Sequence, residues 1–240
     1  MTKRAGAIVA SVLVVMTAAC GSSGGSKGAS TKDSTTTTKP DPAADRTRAA
    51  TLVLTAEDLP AGWVGSKHEK DSEDDAENQK ISDCVGAFDP KFQTAEVNGD
   101  DFDMDTSEIS SDVTVVDTRA HFLADVAALK GNKLLPCVES IFTEDLPKSL
   151  AKTDPGVKIA NLKVSRLSSP TYGDVTVGFR VSLTVSGPGG TVPLFIDGYQ
   201  YGAGRDEASV TFSGQGAPVD AELQQSILKT AAAKLGKSNA

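Results

Sequence analysis

The stretch from Val175 to Val185 narrows the possible folds more than any other. Val175, Val177, Phe179, Val181, Leu183 and Val185 alternate with Thr176, Gly178, Arg180, Ser182 and Thr184. A strict period of two places the apolar side chains on one face of an extended chain and the polar ones on the other, which is a β-strand with one buried face. Ser186-Gly187-Pro188-Gly189-Gly190 is a turn sequence. A second strand is predicted over Thr191–Tyr201, a turn over Gly202–Asp206 and a third strand over Glu207–Ser213, with a further strand ahead of them at Val157–Arg166. Strands joined by such short turns pair antiparallel, so this half of the chain predicts a meander.

Helical spacing stands on both sides of the meander. Thr118–Lys130 has Phe122, Leu123, Val126 and Ala127 as its expected apolar face, Asp117 as its expected cap and Gly131 as its stop. A second helix is expected from Pro136, with Val138, Ile141, Phe142 and Leu146 inward and Pro147 interrupting it. Asp220 caps a last helix whose Leu223, Ile227, Leu228, Ala231 and Leu235 share one side and which Gly236 is expected to end. Earlier in the chain, Thr55 caps a short turn over Ala56-Glu57-Asp58, and Trp63 reads as a packed side chain. Asp101–Asp117 reads as extended. Residues 66–80 contain six acidic side chains and no apolar rhythm, so they read as a solvated loop. Two helices, a meander and a closing helix predict an α+β fold, an antiparallel β-sheet packed against helices.

The first twenty residues follow a different logic. Lys3 and Arg4 precede an apolar run from Ala5 to Met16, too short to stay in a membrane as a span and suited to a signal peptide. Thr17-Ala18-Ala19-Cys20 resembles the bacterial lipobox, with Thr17 where leucine is usual. That resemblance implies cleavage before Cys20, a diacylglycerol on its thiol, and a chain anchored by lipid to the extracytoplasmic face of a cell membrane. Gly21–Asp45 has almost no apolar side chain and reads as a disordered tether. As a flexible coil it holds the domain roughly 25–30 Å from the surface. Thr35–Thr38 with Pro40 also suit O-linked sugars. The expected organisation is a signal peptide over 1–19, the lipidated cysteine and tether over 20–48, and one folded domain over 49–237.

With Cys20 carrying lipid, Cys84 and Cys137 remain. The compartment outside the membrane permits a disulfide between them, and two free thiols are the alternative. A metal site needs more ligands than two isolated cysteines, and neither His68 nor His121 stands at a metal-binding spacing. The formal charge of −8 becomes −10 once Lys3 and Arg4 leave with the leader. That balance argues against nucleic acid as a partner and against a polybasic membrane patch, leaving the lipid as the membrane contact.

Motifs of known chemistry are scarce. There is no G-x-S-x-G elbow, no S-x-x-K with its companion motifs, no phosphate loop, no dinucleotide fingerprint and no H-E-x-x-H. His121, beside Phe122 near a helix start, reads as a packing or exposed histidine. Asp101, Asp103, Asp105 and Asp112 have part of the spacing of a calcium loop, but Thr106 occupies the glycine position and Asp112 replaces the bidentate glutamate. They are expected instead to line the solvent face of an edge strand, with Phe102 and Met104 inward. No catalytic residue, cofactor or metal site is assigned.

The opening phrase Leu54-Thr55-Ala56-Glu57-Asp58-Leu59-Pro60-Ala61-Gly62-Trp63, the helix pair with Pro136-Cys137, the glycine-linked meander and the closing helix resemble mycobacterial-type actinobacterial lipoproteins and sensor-type kinase ectodomains. The resemblance spans roughly residues 50–236. It implies a Mog1/PsbP-like α-β-α sandwich acting as a binding or sensing module without catalytic residues, its partner a protein or a small apolar ligand. The alternatives are a carrier of a lipid or other apolar ligand at the envelope, and an envelope enzyme using acidic residues.

Overall fold

Residues 175–185 become the centre of a long strand, and the rest of the sheet is built outward from it. The computed structural model describes residues 40–68, 72–144, 146–148 and 156–238. In chain order the elements are α1 (Pro42–Ala50), β1 (Val64–Lys67), α2 (Ser72–Val85), β2 (Gln93–Asn98), β3 (Asp100–Met104), β4 (Ser107–Val116), α3 (Arg119–Lys130), α4 (Leu134–Glu144), β5 (Lys158–Leu167), β6 (Val175–Gly187), β7 (Gly190–Ala203), β8 (Asp206–Gln215) and α5 (Ala221–Ser238). Single 3-10 turns lie at Ala56–Asp58 and Pro90–Phe92.

Strands β5 to β8 form the predicted antiparallel meander. Pro188 and Gly189 connect β6 to β7, and Gly190 opens β7 at φ +117°, a conformation glycine adopts without steric cost. Beyond β8 the sheet continues. β8 pairs with β4 from Ser107↔Gly214 to Val115↔Asp206. The other edge of β4 takes β2 over one half and β3 over the other, and β1 pairs with β3. The product is one eight-stranded antiparallel sheet ordered β1-β3-β4-β8-β7-β6-β5, with β2 beside β4.

Helices cover both faces. On one, Ile81 of α2, Phe122 of α3 and Val138 and Phe142 of α4 pack on Val177, Phe179, Val181 and Ile196. On the other, Ala49 of α1 and Leu228, Ala231 and Leu235 of α5 pack on Ile109, Val113, Val210 and Phe212. The chain is therefore α+β with an antiparallel sheet between two helical layers.

Several local expectations change. Residues 72–85 form a helix where a charged loop was expected. Its last turns are fixed by Ile81 and Val85, both buried, and by the Cys84–Cys137 disulfide to α4, whose Cα atoms lie 5.9 Å apart. Residues 42–48, expected to belong to the tether, form most of helix α1, whose Asp45 and Ala49 are buried against the rest of the fold. Asp41 Oδ1 accepts from the amides of Ala43 and Ala44, and Pro42 takes the first helical position, where its missing amide costs nothing. Asp45, 5% exposed, accepts from Arg205 Nη2 and from Thr94 Oγ1, each at 2.6 Å. Arg48 bridges from Asp45 to the fully buried Asp206.

In α3 the cap is Thr118, whose hydroxyl accepts from the His121 amide, and Asp117 instead pairs with the His121 ring. Its buried side is Phe122, Asp125 and Leu129, while Leu123 and Ala127 are exposed. α4 starts at Leu134, two residues ahead of Pro136, and α5 continues through Gly236 to Ser238. β3 is not an edge strand, because β1 covers it. The expected signal peptide, Cys20 and the tether up to residue 39 lie outside the described residues.

Candidate functional site

The sheet face beneath α2, α3 and α4 changes character across its width. Under β6 it is Val175, Val177, Phe179, Val181 and Leu183, all buried. Cross-strand partners share a face, so the register fixes what lies beside them. Ser110 of β4 stands opposite Thr211 of β8, which stands opposite Gly198 of β7 and then Phe179 of β6. The next row runs Asn98, Asp112, Ser209 and Gln200 to Val177. The row nearest the β3–β4 turn runs Asp103, Glu108 and Ser213 to Ile196. Half of an inner face is therefore polar where a sandwich would ordinarily be apolar.

A cleft opens along this boundary. Its floor includes Ser110, Asp112, Ser209 and Thr211, its apolar wall includes Val138, Ile141 and Phe142 of α4, and His68 and Asp101 stand at its rim. Gly198 is required there, because the Phe179 ring lies across it and a Cβ would meet ring atoms at 2.5 Å. The Cys84–Cys137 bond ties together the two helices that supply Ile81 and Val138 to the wall. Counted out to bulk solvent the atom-free space is about 650 Å³, but the room for the centre of a water molecule is about 40 Å³. The mouth is broad and the depth holds only a few waters.

The carboxyl groups of this face are costly to ionise. Burial, then Asp101 and Asp103, push Glu108 up to about 7, against a smaller opposing pull from His68. Burial also takes Asp112 up to about 7, although Ser209 hydrogen-bonds its carboxylate, with Glu96 adding to the rise. Asp103 is raised by burial and by Asp101. His68 Nδ1 pairs with Asp101 Oδ2 at 3.0 Å, and the histidine side chain is 8% exposed. One cleft thus holds Asp101, whose carboxyl contacts the His68 ring, and Asp112, whose charge burial disfavours.

The residues noted in the sequence separate. Asp101 and Asp103 alternate on β3 and face the polar half of the sheet, Asp105 occupies the β3–β4 turn at φ +52°, and Asp112 lies midway along β4. They do not form a calcium loop, and no group of three His, Cys, Asp or Glu placed to hold a metal ion exists among the described residues. His121 lies away from the cleft, stacked on Phe92 at 3.6 Å between ring centroids. His68, Glu108, Ser209 and Thr211 had no signal in the sequence beyond polar alternation. Among the described residues no helix is long and apolar enough to cross a membrane.

No protein-family model and no curated protein matches the chain. Among solved structures it is similar to the crystal structure of the extracellular domain of PknH from Mycobacterium tuberculosis, at 12% identity over 80% of this chain and 96% of that one, with a TM-score of 0.43.

Proposed function

We propose that this chain is a lipid-anchored binding or sensing domain on the extracytoplasmic face of a cell membrane, with its ligand site in the cleft between α4 and the polar half of the sheet. The observation that carries the reading is the energetic cost of that half. Burial disfavours the charges of Asp103, Glu108 and Asp112, with Asp101 adding to the first two and Glu96 to the third. A fold that needed only stability would place apolar side chains there, and a carboxyl perturbed by burial in a cleft, as Asp112 is, makes that cleft a functional-site candidate. The depth of the cleft suits a slender group that donates hydrogen bonds, such as an amine or an amide, with its apolar remainder against Ile141 and Phe142.

The leader, Cys20 and the glycine-, serine- and threonine-rich segment after it support the anchor and its topology. A carrier of a lipid is the weaker reading, because a buried acyl chain needs a far larger space than one admitting a few waters. Asp101 and Asp112, both lining this cleft, favour a second reading, acid–base hydrolysis by a pair of carboxyl groups. The same narrow depth counts against a sugar ring as its substrate.

The anchor is tested by fractionating cells of the host and weighing the intact protein. The expected mass is a chain beginning at Cys20 with acyl groups added, in the membrane fraction, and Cys20→Ala moves the protein to the soluble fraction. A wild-type chain recovered with an intact leader and no lipid contradicts the anchor.

A further inference from the structure

The floor of the cleft between α4 and the sheet is rich in hydrogen-bond acceptors, and strand register brings them together. Asn98 of β2 stands opposite Asp112 of β4, and Asp112 stands opposite Ser209 of β8. Such cross-strand neighbours hold their Cβ atoms about 4.5–5.5 Å apart, so one small group lying between them touches two side chains at once. Ser110 and Thr211 form the next pair on the same face. Asp101 joins them at the rim, where its carboxyl contacts the His68 ring at 3.0 Å. Asn98 Oδ1 is buried, and among the described residues no donor reaches it. None of the described residues lining the cleft is lysine or arginine. The lining therefore presents two carboxyl groups and an amide oxygen with no fixed lysine or arginine to answer them.

Shape and donor chemistry narrow the kind of cation that fits. The deep part admits only a few waters, too little for the wide flat fork of a guanidinium. An ammonium is compact and turns its hydrogens toward whatever acceptors surround it. A neutral amide also donates, but it brings no charge and adds an oxygen to a floor already lined with oxygens. A bare metal ion lacks a set of three His, Cys, Asp or Glu ligands among the described residues. Beside the polar floor, Ile141 and Phe142 offer an apolar wall to the carbon stem next to the nitrogen.

We propose that the cleft binds a small primary ammonium carried on a short apolar stem, with Asp112 as its counter-ion, Asn98 and Ser209 beside it and Asp101 at the rim. The inference rests on the cleft being the ligand site and adds the chemical class of the ligand. Burial disfavours the Asp112 charge when it stands alone, and a cation seated against the carboxylate offsets that penalty. A carboxylate or phosphate ligand meets the opposite situation, since Asp101 and Asp112 repel it and no lysine or arginine of the lining compensates.

The test titrates the full chain at about pH 7.5 and constant ionic strength with n-butylammonium, butyramide, butyrate and n-butyltrimethylammonium, reading the backbone amide resonances of Ser110, Asp112, Ser209 and Thr211. n-Butylammonium is expected to saturate those shifts with a Kd of roughly 1–10 mM. It should bind at least about tenfold tighter than the other probes, which lack the charge, reverse it or remove its hydrogens. Asp112→Asn is expected to weaken n-butylammonium at least about tenfold. Butyramide or butyrate binding at the same residues as tightly as n-butylammonium overturns the ammonium assignment and leaves the cleft as the ligand site. So does an Asp112→Asn chain with wild-type affinity, or the absence of any n-butylammonium shift up to about 50 mM. Saturating shifts from n-butylammonium confined to residues away from the cleft overturn the ammonium assignment and count against the cleft itself.

Discussion

Neutralising the carboxyls of the polar half-face should make the protein more stable at alkaline pH and no more stable in acid. Glu108 moves from an ordinary 4.5 to about 7, and Asp112 from 3.8 to about 7. Each pH unit of such a rise costs the ionised folded state about 1.4 kcal/mol. The full effect is about 3 kcal/mol for Glu108 and about 4 kcal/mol for Asp112, and less when both are counted, since they share neighbours. The sign follows from proton binding. Between the ordinary value and about 7 the folded state holds more protons than the unfolded chain, so stability falls as pH rises through that window and levels off above it.

Glu108→Gln and Asp112→Asn imitate the protonated groups and remove the loss. Urea unfolding at about pH 8 should show each midpoint raised, with an unchanged slope, by the equivalent of about 1–3 kcal/mol after solvent screening of these partly exposed groups. At about pH 4, where wild type is itself largely protonated, the variants and wild type should coincide within about 0.5 kcal/mol. A lower midpoint for either variant at alkaline pH would show that its charge is compensated and that the polar half-face is not costly to ionise.

Other consequences concern the frame. Replacing both Cys84 and Cys137 with alanine opens a covalent loop of sequence separation 53 and should cost about 4 kcal/mol, or roughly 10 °C in Tm, read by calorimetry under non-reducing conditions. Peptide mapping that finds Cys84 as a free thiol would remove the basis for that figure. Asp45→Ala breaks the buried contacts to Arg205, Arg48 and Thr94 and should cost about 3 kcal/mol in urea midpoint, with new proteolysis at Pro42–Ala50. A cost below about 1 kcal/mol would mean that α1 is not held by this network.

The meander and α5 were legible because half-burial imposes a period on the sequence. β6 needs alternation, and Ile227, Leu228, Ala231 and Leu235 need helical spacing to reach one core. The first two helices carry little such signal. α1 is positioned by ion pairs of Asp45 and Arg48 with residues about 160 positions away, and α2 by a disulfide and two apolar side chains near its end. The site was half legible for a related reason. Glu207, Ser209, Thr211 and Ser213 alternate with Ala208, Val210 and Phe212, which shows a polar face but not whether helices roof it. Asp101, Asp103 and Asp112 stood out by spacing, and the β3–β4 pairing, with Asp103 opposite Glu108, sets them on one face, but that helices roof this face is not written locally.

The proposed function puts the ligand of this protein in the cleft. The most direct measurement is capture from the host's own envelope, with mass spectrometry of proteins and small molecules, comparing wild type with Asp101→Asn/Asp112→Asn. A cleft ligand predicts at least one species held by wild type and lost from the variant, whose urea midpoint at neutral pH is no lower. An identical set of species from both chains would contradict it.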